Sequence, residues 1–247
     1  MSLSFLAINL LFALVTVIAA LFFAFAGYLQ QLGIDPASAG LILSADALAA
    51  LIIQPLIAPV IRAGNARLWL VVGSLLLSAA LALLPQVASV PMLIVVRLLQ
   101  GAGFICVLSA LIALVVDVIP PSMSGRAFGL ISLVRLIPYA LIPLLFDLAS
   151  IKPSAFPSLL NTAALAALLP GLLLLLPAAR RQDESEPPLS PGLAGMIKSL
   201  RSPAVAVLLL STLLFFCGYA AVFFISKSLL LPRALAAAFS TPPPPWR

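Results

Sequence analysis

Residues 97–103 read Arg97-Leu98-Leu99-Gln100-Gly101-Ala102-Gly103, which places a cation, an amide and two glycines inside an apolar run from Met92 to Val118. About 20 residues of helix, at roughly 1.5 Å each, cross the hydrocarbon core of a bilayer, so this run is long enough to span one. A charge at membrane depth costs several kcal/mol, and glycines let another helix approach closely. The stretch therefore predicts a membrane-spanning helix that forms part of a polar pathway.

The composition of the whole chain points the same way. Hydrophobic residues make up 64% of the 247 residues and charged residues only 8%, against roughly half and about a quarter in soluble domains. This predicts an all-α, polytopic membrane protein surrounded by a lipid bilayer. The net charge of +6 would favour nucleic acid in a soluble protein, but here the basic residues cluster in short loops, so we expect no nucleic-acid partner.

The sequence offers no pattern of enzyme chemistry. It contains no His, and it has neither a Gly-rich phosphate loop nor a Ser/His/Asp arrangement. Cys106 and Cys217 lie in separate apolar runs, outside any Cys-x-x-Cys pair, so we interpret them as small buried hydrophobic residues. We therefore expect no enzymatic activity, no metal site and no cofactor.

Seven apolar segments are candidate membrane spans. They are Ser4–Gly27, Ala39–Ile61, Leu68–Leu84, Met92–Val118, Ala127–Phe146, Pro157–Leu176 and Ala204–Ile225. The predicted organisation is a six-helix bundle over residues 1–178, a cytoplasmic linker over 179–202, a seventh transmembrane helix over 203–226 and an irregular tail over 227–247.

Lysine and arginine concentrate in alternate loops, which sets the predicted orientation. The loops after spans one, three and five carry only Lys152. The loops after spans two, four and six carry Arg62, Arg67, Arg126, Arg180, Arg181, Lys198 and Arg201. We therefore expect a multi-pass protein of the cell's inner (plasma) membrane with a cytoplasmic N-terminus. A cleaved signal peptide is the alternative for the first span, but no Lys or Arg precedes its long apolar run.

Six spans, a central loop and the fourth-span motif together resemble the N-terminal half of a major facilitator superfamily (MFS) transporter. The Arg-x-x-Gln-Gly-x-Gly pattern of residues 97–103 matches the family's fourth-helix motif in full. Residues 117–121, followed by 125–130, resemble its connection between helices four and five. The resemblance implies an MFS-like six-helix N-terminal bundle plus a seventh transmembrane helix. It also implies a secondary transporter that moves a small-molecule substrate by alternating access.

Other patterns of the family are only partly present. In the loop between helices two and three, Arg62 and Gly64 match, but Ile61 replaces the usual Asp. In helix five, Pro138 matches the antiporter signature, whereas Ile137 stands at one of its glycine positions. The family has twelve helices, so the resemblance implies a truncated chain whose possible partners are the missing C-terminal half or a second copy.

Three charges at membrane depth, together with Gln100, are the candidate proton-coupling or cavity residues. Arg97 and Gln100 lie at i and i+3 and share a helix face. Asp46 is an acid deep in the second span, where a lone carboxylate is protonated or paired. The resemblance makes spans two and five equivalents in an inverted repeat, which relates Arg135 to the position of Asp46. A pair of Asp46 with Arg97 or Arg135 is either a switch that protonation opens or a purely structural contact.

Gly101, Gly103 and Pro138 are the candidate helix-packing and gating residues, because glycine admits a close neighbour and proline frees a carbonyl and kinks a helix. The candidate cytoplasmic-loop residues are Arg62, Gly64, Asp117 and Arg126. The resemblance implies that the last two form an ion pair that steadies the inward face.

The resulting prediction is a proton-coupled secondary transporter, with efflux slightly favoured over uptake. The spans lack the dense acidic, Gln and aromatic lining of a sugar or nutrient site, which favours an apolar or amphipathic substrate. Asn9, Thr16 and Gln54 either line a cavity or bond locally within their helices. A hypothesis of a different class is a non-transporting truncated or degenerate fragment that has only structural or assembly properties.

Overall fold

The computed structural model describes residues 3–62, 64–148, 153–175, 198, 202–207, 209–214 and 217–218. They fall in two units, Met1–Ser190 and Pro191–Arg247. The described part of the first unit contains helices α1 Leu3–Leu21, α2 Phe25–Gln31, α3 Pro36–Ile57, α4 Ala66–Leu83, α5 Val90–Val118, α6 Ser124–Leu148 and α7 Phe156–Ala166. Short 3-10 segments lie at Phe22–Ala24, Leu84–Gln86, Pro121–Met123, Pro153–Ala155 and Leu169–Leu175. The predicted all-α fold class is confirmed.

Five helical segments in the described ranges are long and apolar enough to cross a membrane. They are Leu3–Gln31, Pro36–Ile57, Ala66–Gln86, Val90–Val118 and Ser124–Phe146, which correspond to the first five predicted spans. The sixth predicted span is a shorter α-helix that ends at Ala166 and continues as the 3-10 segment Leu169–Leu175. Pro170 explains the change, since proline has no N–H to donate to the carbonyl four residues earlier.

The second unit is described only in part. Residues 203–207, 209–214 and 217–218 are helical and lie within the seventh predicted span. Most of the predicted linker, the rest of that span and the whole predicted tail lie outside the described residues.

Helix α5 is the centre of the first unit. Buried side chains occur on all of its faces, and it packs against α3, α4 and α1. A helix that is apolar all round is suited to such a buried position. In contrast, α3 and α6 expose large apolar side chains along most of their length, among them Leu48, Leu51, Leu136 and Leu141. These two helices therefore lie at the edge of the unit.

Glycines set the spacing of the central helices. A Cβ atom added at Gly103 of α5 would lie 2.6 Å from the backbone nitrogen of Leu77, and one added at Gly73 of α4 would lie 2.8 Å from Cβ of Cys106. Neither position leaves room for a side chain, so the backbones of α4 and α5 are in direct contact.

Two buried apolar clusters fill the first unit. The Phe12 cluster joins α1, α4, α5 and α6 and includes Ile61 and Ile119, which adjoin the loops that carry Arg62 and Arg126. The Phe25 cluster lies toward the opposite ends of these helices and joins α2 to α7. Its rings stack closely, with 5.5 Å between the ring centroids of Phe25 and Phe156. This aromatic packing accompanies the 3-10 segment Phe22–Ala24, which interrupts the first span.

Asp35 caps the start of α3. Its carboxylate accepts hydrogen bonds from the backbone N–H groups of Ala37 and Ser38, at 3.1 and 3.0 Å, and Pro36 follows in the first helical position. Hydrogen bonds from the Ser38 side chain and from this backbone hold the pKa of Asp35 below its usual value.

We expect Asp35→Ala to lower the thermal unfolding midpoint of the purified protein at neutral pH, because the first turn of α3 loses its acceptor. Because the pKa of Asp35 is lower in the folded protein, the ionised cap stabilises the protein fully at any pH above the pKa of an unfolded Asp, about 3.9. This stabilisation is lost as the pH falls through the pKa that Asp35 has in the folded protein. The difference between wild type and Asp35→Ala should therefore shrink in acid. Asp35→Asn is the matched control, since it keeps an acceptor without the charge. Equal midpoints for Asp35→Ala and Asp35→Asn at neutral pH would contradict this role.

Candidate functional site

Arg97 lies at the centre of the candidate site, with only 2% of its surface exposed. Its Nη1 group donates to Oε1 of Gln100 at 2.7 Å, and its Nη2 group forms an ion pair with Oδ1 of Asp46, also at 2.7 Å. Nε donates to the carbonyl of Ile42 and Nη2 to that of Leu43, each at 3.3 Å. The guanidinium therefore joins the first third of α5 to one and a half turns of α3.

Gly101 makes this contact between α5 and α3 possible. A Cβ atom at residue 101 would lie 2.5 Å from the backbone oxygen of Asp46, 2.8 Å from its Cα and 2.9 Å from Cβ of Ala49. The two backbones therefore touch at Asp46. Arg97, one turn earlier on the same face of α5, is thereby brought within reach of the carboxylate.

Two aromatic rings from the first span complete the surroundings of Arg97. Its Cζ atom lies 4.4 Å from the ring centroid of Phe22 and 5.4 Å from that of Phe25. Rings at this distance attract a cation through their negative faces. The sequence analysis missed both residues. The aromatic residues at positions 22, 23 and 25 could have indicated a ring contact with Arg97. The sequence does not show which of these rings face Arg97, because that depends on the 3-10 segment Phe22–Ala24.

Asp46 is placed quite differently from its partner. Its side chain is 39% exposed, and it borders a small cavity of about 180 Å³ lined also by Ala19, Phe22, Phe23, Leu43 and Arg97. The carboxylate is therefore open to a proton or a solute from the cavity side while one oxygen holds Arg97. The geometry combines a fixed, buried cation with an accessible acid.

Arg135, the other proposed partner of Asp46, is not in contact with it. The salt bridge of Asp46 is with Arg97. Arg135 is half-buried on α6, and its Nε atom is buried without a hydrogen-bond partner. Pro138, almost one turn further on, is buried on the same helix.

The loop residues are arranged around a residue that the sequence analysis did not single out. Asn65 accepts a hydrogen bond from the backbone N–H of Arg62 at 2.7 Å and donates to the carbonyl of Val60 at 2.9 Å. The Arg62 side chain and Gly64 are exposed, and Gly64 has open space around it. Asn65 therefore shapes this turn through backbone contacts.

The ion pair expected between Asp117 and Arg126 is absent from the described residues, so that expectation is wrong. Asp117 lies in the last turn of α5 and Arg126 in the first turn of α6, on either side of the 3-10 segment Pro121–Met123. Arg126 borders an apolar groove of about 890 Å³, together with Phe5 of α1 and Leu133.

The polar residues of the first span bond locally. The Asn9 amide donates to the carbonyl of Phe5 at 2.8 Å, and the Thr16 hydroxyl donates to that of Phe12 at 2.7 Å. Both side chains are buried and satisfy carbonyls of their own helix. Gln54 is exposed on α3. Of the two interpretations of Asn9 and Thr16, local bonding within the helix is the one observed.

Comparison with known proteins agrees with this architecture. The model of the Major Facilitator Superfamily matches residues 4–242, which is nearly the whole chain. A search of curated proteins found no match. The family match covers both units, and the five helices of membrane-spanning length fit a multi-pass membrane protein. The chain therefore belongs to the major facilitator superfamily and is a membrane transporter of that kind, with a small molecule as its substrate.

Proposed function

We propose that this transporter couples movement of its substrate to protons, with Asp46 as the group that takes up and releases the proton. The observation that carries the proposal is the asymmetry of the ion pair. Arg97 is buried and held by Gln100, two carbonyls and two rings, whereas Asp46 is 39% exposed and borders a cavity. Only the acid can exchange a proton without first dismantling its surroundings.

Protonation of Asp46 would remove the strongest attraction between α3 and Arg97. The guanidinium would keep its hydrogen bond to Gln100 and its contact with Phe22. Charge-assisted hydrogen bonds are about twice as strong as neutral ones, so the balance of forces on Arg97 would shift from α3 toward α1. The ion pair is thus a two-state contact that a proton can bias.

The exposed side of Asp46 also bears on what surrounds the unit. A half-exposed carboxylate facing lipid would cost several kcal/mol. The exposed faces of α3 and α6 flank this side and are apolar. We infer that a second helical bundle, from further sequence or from a second copy of the chain, covers these faces and encloses a cavity. Rocking of two such bundles around a central site is the basis of alternating access.

The lining of the small cavity favours export of an apolar or amphipathic molecule. Besides the ion pair it consists of Ala19, Phe22, Phe23 and Leu43. Apolar rings contact hydrophobic solutes, and this lining has few of the hydroxyl and amide groups that would hold a sugar. Apolar and amphipathic molecules enter a membrane without a transporter, so a transporter that carries them is most useful for exporting them from the cell.

The test is Asp46→Asn, which preserves shape and removes the titrating group. Protein is reconstituted in liposomes containing a trapped pH-sensitive dye, and naphthalene-2-sulfonate, 2-naphthamide and 2-naphthyltrimethylammonium are added separately. We expect at least one probe to drive proton movement through wild type and none through Asp46→Asn, whereas exchange of labelled for unlabelled probe persists in both. Asp117→Asn is the matched control and should behave like wild type. Probe-driven proton movement through Asp46→Asn at the wild-type rate would refute the proposal.

We further propose that the chain lies in the inner membrane with its N-terminus and the segment around Glu184 in the cytoplasm. Support comes from Arg62 and Arg126, whose loops adjoin the same Phe12 cluster and thus share one end of the unit. A cysteine placed at Glu184, in a background without Cys106 and Cys217, should resist membrane-impermeant maleimide in intact cells. A cysteine at Ala88, near the opposite end, should react. Labelling at Glu184 with protection at Ala88 would reverse the orientation.

A further inference from the structure

We propose that Arg135 binds the anionic group of an amphipathic substrate. This inference rests on the proposed function, because it names the class of molecule that the transporter carries. It begins from a contrast between two arginines of the same unit. The donors of Arg97 are occupied by Gln100, Asp46 and two carbonyls of α3. Arg135 has a buried Nε atom without an acceptor.

A guanidinium at membrane depth without an acceptor is costly. It carries five N–H donors and stays charged under all physiological conditions. Leaving a buried donor unsatisfied costs about 1–3 kcal/mol, and more for a charged group. Intramembrane cations therefore pair with an anion or border a water-filled pathway. Within the described residues Asp46, the acid deep in the bundle, is already engaged by Arg97. The missing acceptor of Arg135 is thus supplied from outside the described residues.

Arg135 lies on the side of α6 that faces the bundle. Ile131, one turn before it, is buried in the Phe12 cluster with residues of α1. Tyr139, one turn after it, contacts Phe23 with 6.0 Å between ring centroids. Positions four apart share a helix face, so Arg135 lies between these two contacts with the first span. Phe23 also borders the small cavity at Asp46 and Arg97. Arg135 is therefore one helical turn from Tyr139, whose ring contacts a ring of that cavity.

The depth of Arg135 decides where its anion comes from. The residue is near the middle of the 23-residue span Ser124–Phe146. It is therefore about 15 Å of helix away from either end, at roughly 1.5 Å per residue. Phospholipid headgroups lie outside the hydrocarbon core, which is about 30 Å thick. A solute carrying a carboxylate, sulfonate or phosphate that enters the bundle can reach this depth, whereas a headgroup at the interface cannot.

The chemistry of the surroundings defines the rest of the ligand. A planar guanidinium binds such oxyanions through two parallel N–H···O hydrogen bonds. Tyr139 lies one turn from Arg135 on the same helix and contacts Phe23, and these two rings offer apolar surface to the remainder of the molecule. A compact molecule with one anionic group and an apolar or aromatic body fits these two conditions.

Equilibrium binding to purified protein in phosphatidylcholine nanodiscs tests the inference, without any gradient and at one pH. The probes are naphthalene-2-sulfonate and its neutral analogue 2-naphthamide. We expect wild type to bind the sulfonate at least tenfold more tightly than the amide. Arg135→Gln should lose this preference while keeping its affinity for the amide. Arg135→Lys should keep most of the preference, and Arg126→Gln, which removes a cation at the end of the helix, should leave it unchanged.

Four outcomes would overturn the inference. The first is that wild type shows no preference for the sulfonate, and the second is that Arg135→Gln keeps the wild-type preference. The third is that Arg135→Gln loses binding of the amide together with binding of the sulfonate. The fourth is that the sulfonate binds more weakly to wild type when a third of the lipid is replaced by phosphatidylglycerol, whose headgroup would then compete for the same site. Asp46→Asn should retain sulfonate binding in this assay even though it stops proton movement. The binding assay therefore tests anion binding by Arg135, and the liposome assay separately tests proton coupling by Asp46.

Discussion

Arg97→Gln will destabilise the protein by about 1–3 kcal/mol, the cost of leaving buried hydrogen-bonding groups unsatisfied. The loss is large because one side chain satisfies Gln100, Asp46 and the carbonyls of Ile42 and Leu43. We also expect probe-driven proton movement to disappear. The measurements are SDS-induced unfolding of purified protein and the liposome assay described for Asp46.

A double-mutant cycle separates the ion pair from the other contacts of Arg97. Arg97→Gln combined with Asp46→Asn leaves no unpaired charge, so its loss of stability should be smaller than the sum of the two single losses. Arg97→Lys keeps the positive charge, but the ammonium group lacks the planar set of N–H donors that bonds a carbonyl, an amide and a carboxylate at once. Its loss of stability should therefore be only partly smaller than that of Arg97→Gln. Additive losses in the double variant would show that the two charges are energetically independent.

Gly101→Ala will weaken the packing of α3 on α5 by about 1–3 kcal/mol, the usual cost of overpacking a tight interior. The added methyl group would meet the oxygen and the Cα of Asp46, which are backbone atoms and cannot turn aside. The helices must separate, and Arg97 then reaches Asp46 less well. We expect a lower unfolding midpoint in SDS together with reduced proton movement.

Gly129→Ala is the matched control for Gly101→Ala. Gly129 lies in α6, and a Cβ atom there would meet nothing within 4 Å. Alanine is the better helix former, so this variant should be neutral or slightly stabilised. Equal unfolding midpoints for the two variants would mean that the close contact at Gly101 contributes nothing to stability.

The sequence predicted the helices of the first unit well, because apolar length is a strong signal in a membrane protein. It also indicated close packing at Gly101 and Gly103 and a polar role for Arg97. It left open whether Arg97 or Arg135 pairs with Asp46. In α5 nearly every position is apolar, so periodicity does not reveal which face meets which neighbour.

The remaining features of the site depend on tertiary contacts. The carbonyls of Ile42 and Leu43 carry no signal in the sequence, because every residue has a carbonyl. Phe22 faces Arg97 only because the first span changes to a 3-10 helix at that point. The expected ion pair of Asp117 with Arg126 is absent from the described residues, because proximity in sequence alone does not bring side chains of two different helices into contact.

The backbone contacts at Gly73, Gly101 and Gly103 have a mechanical consequence. Interfaces in which one main chain touches another cannot slide without collision, so α3, α4 and α5 behave as one plate. Helix α1 meets this plate through large side chains such as Phe12 and Val15, which can change rotamer as neighbours shift. Shear inside the unit is therefore easier between α1 and the plate than within the plate, and the contact of Phe22 with Arg97 lies just beyond the end of α1.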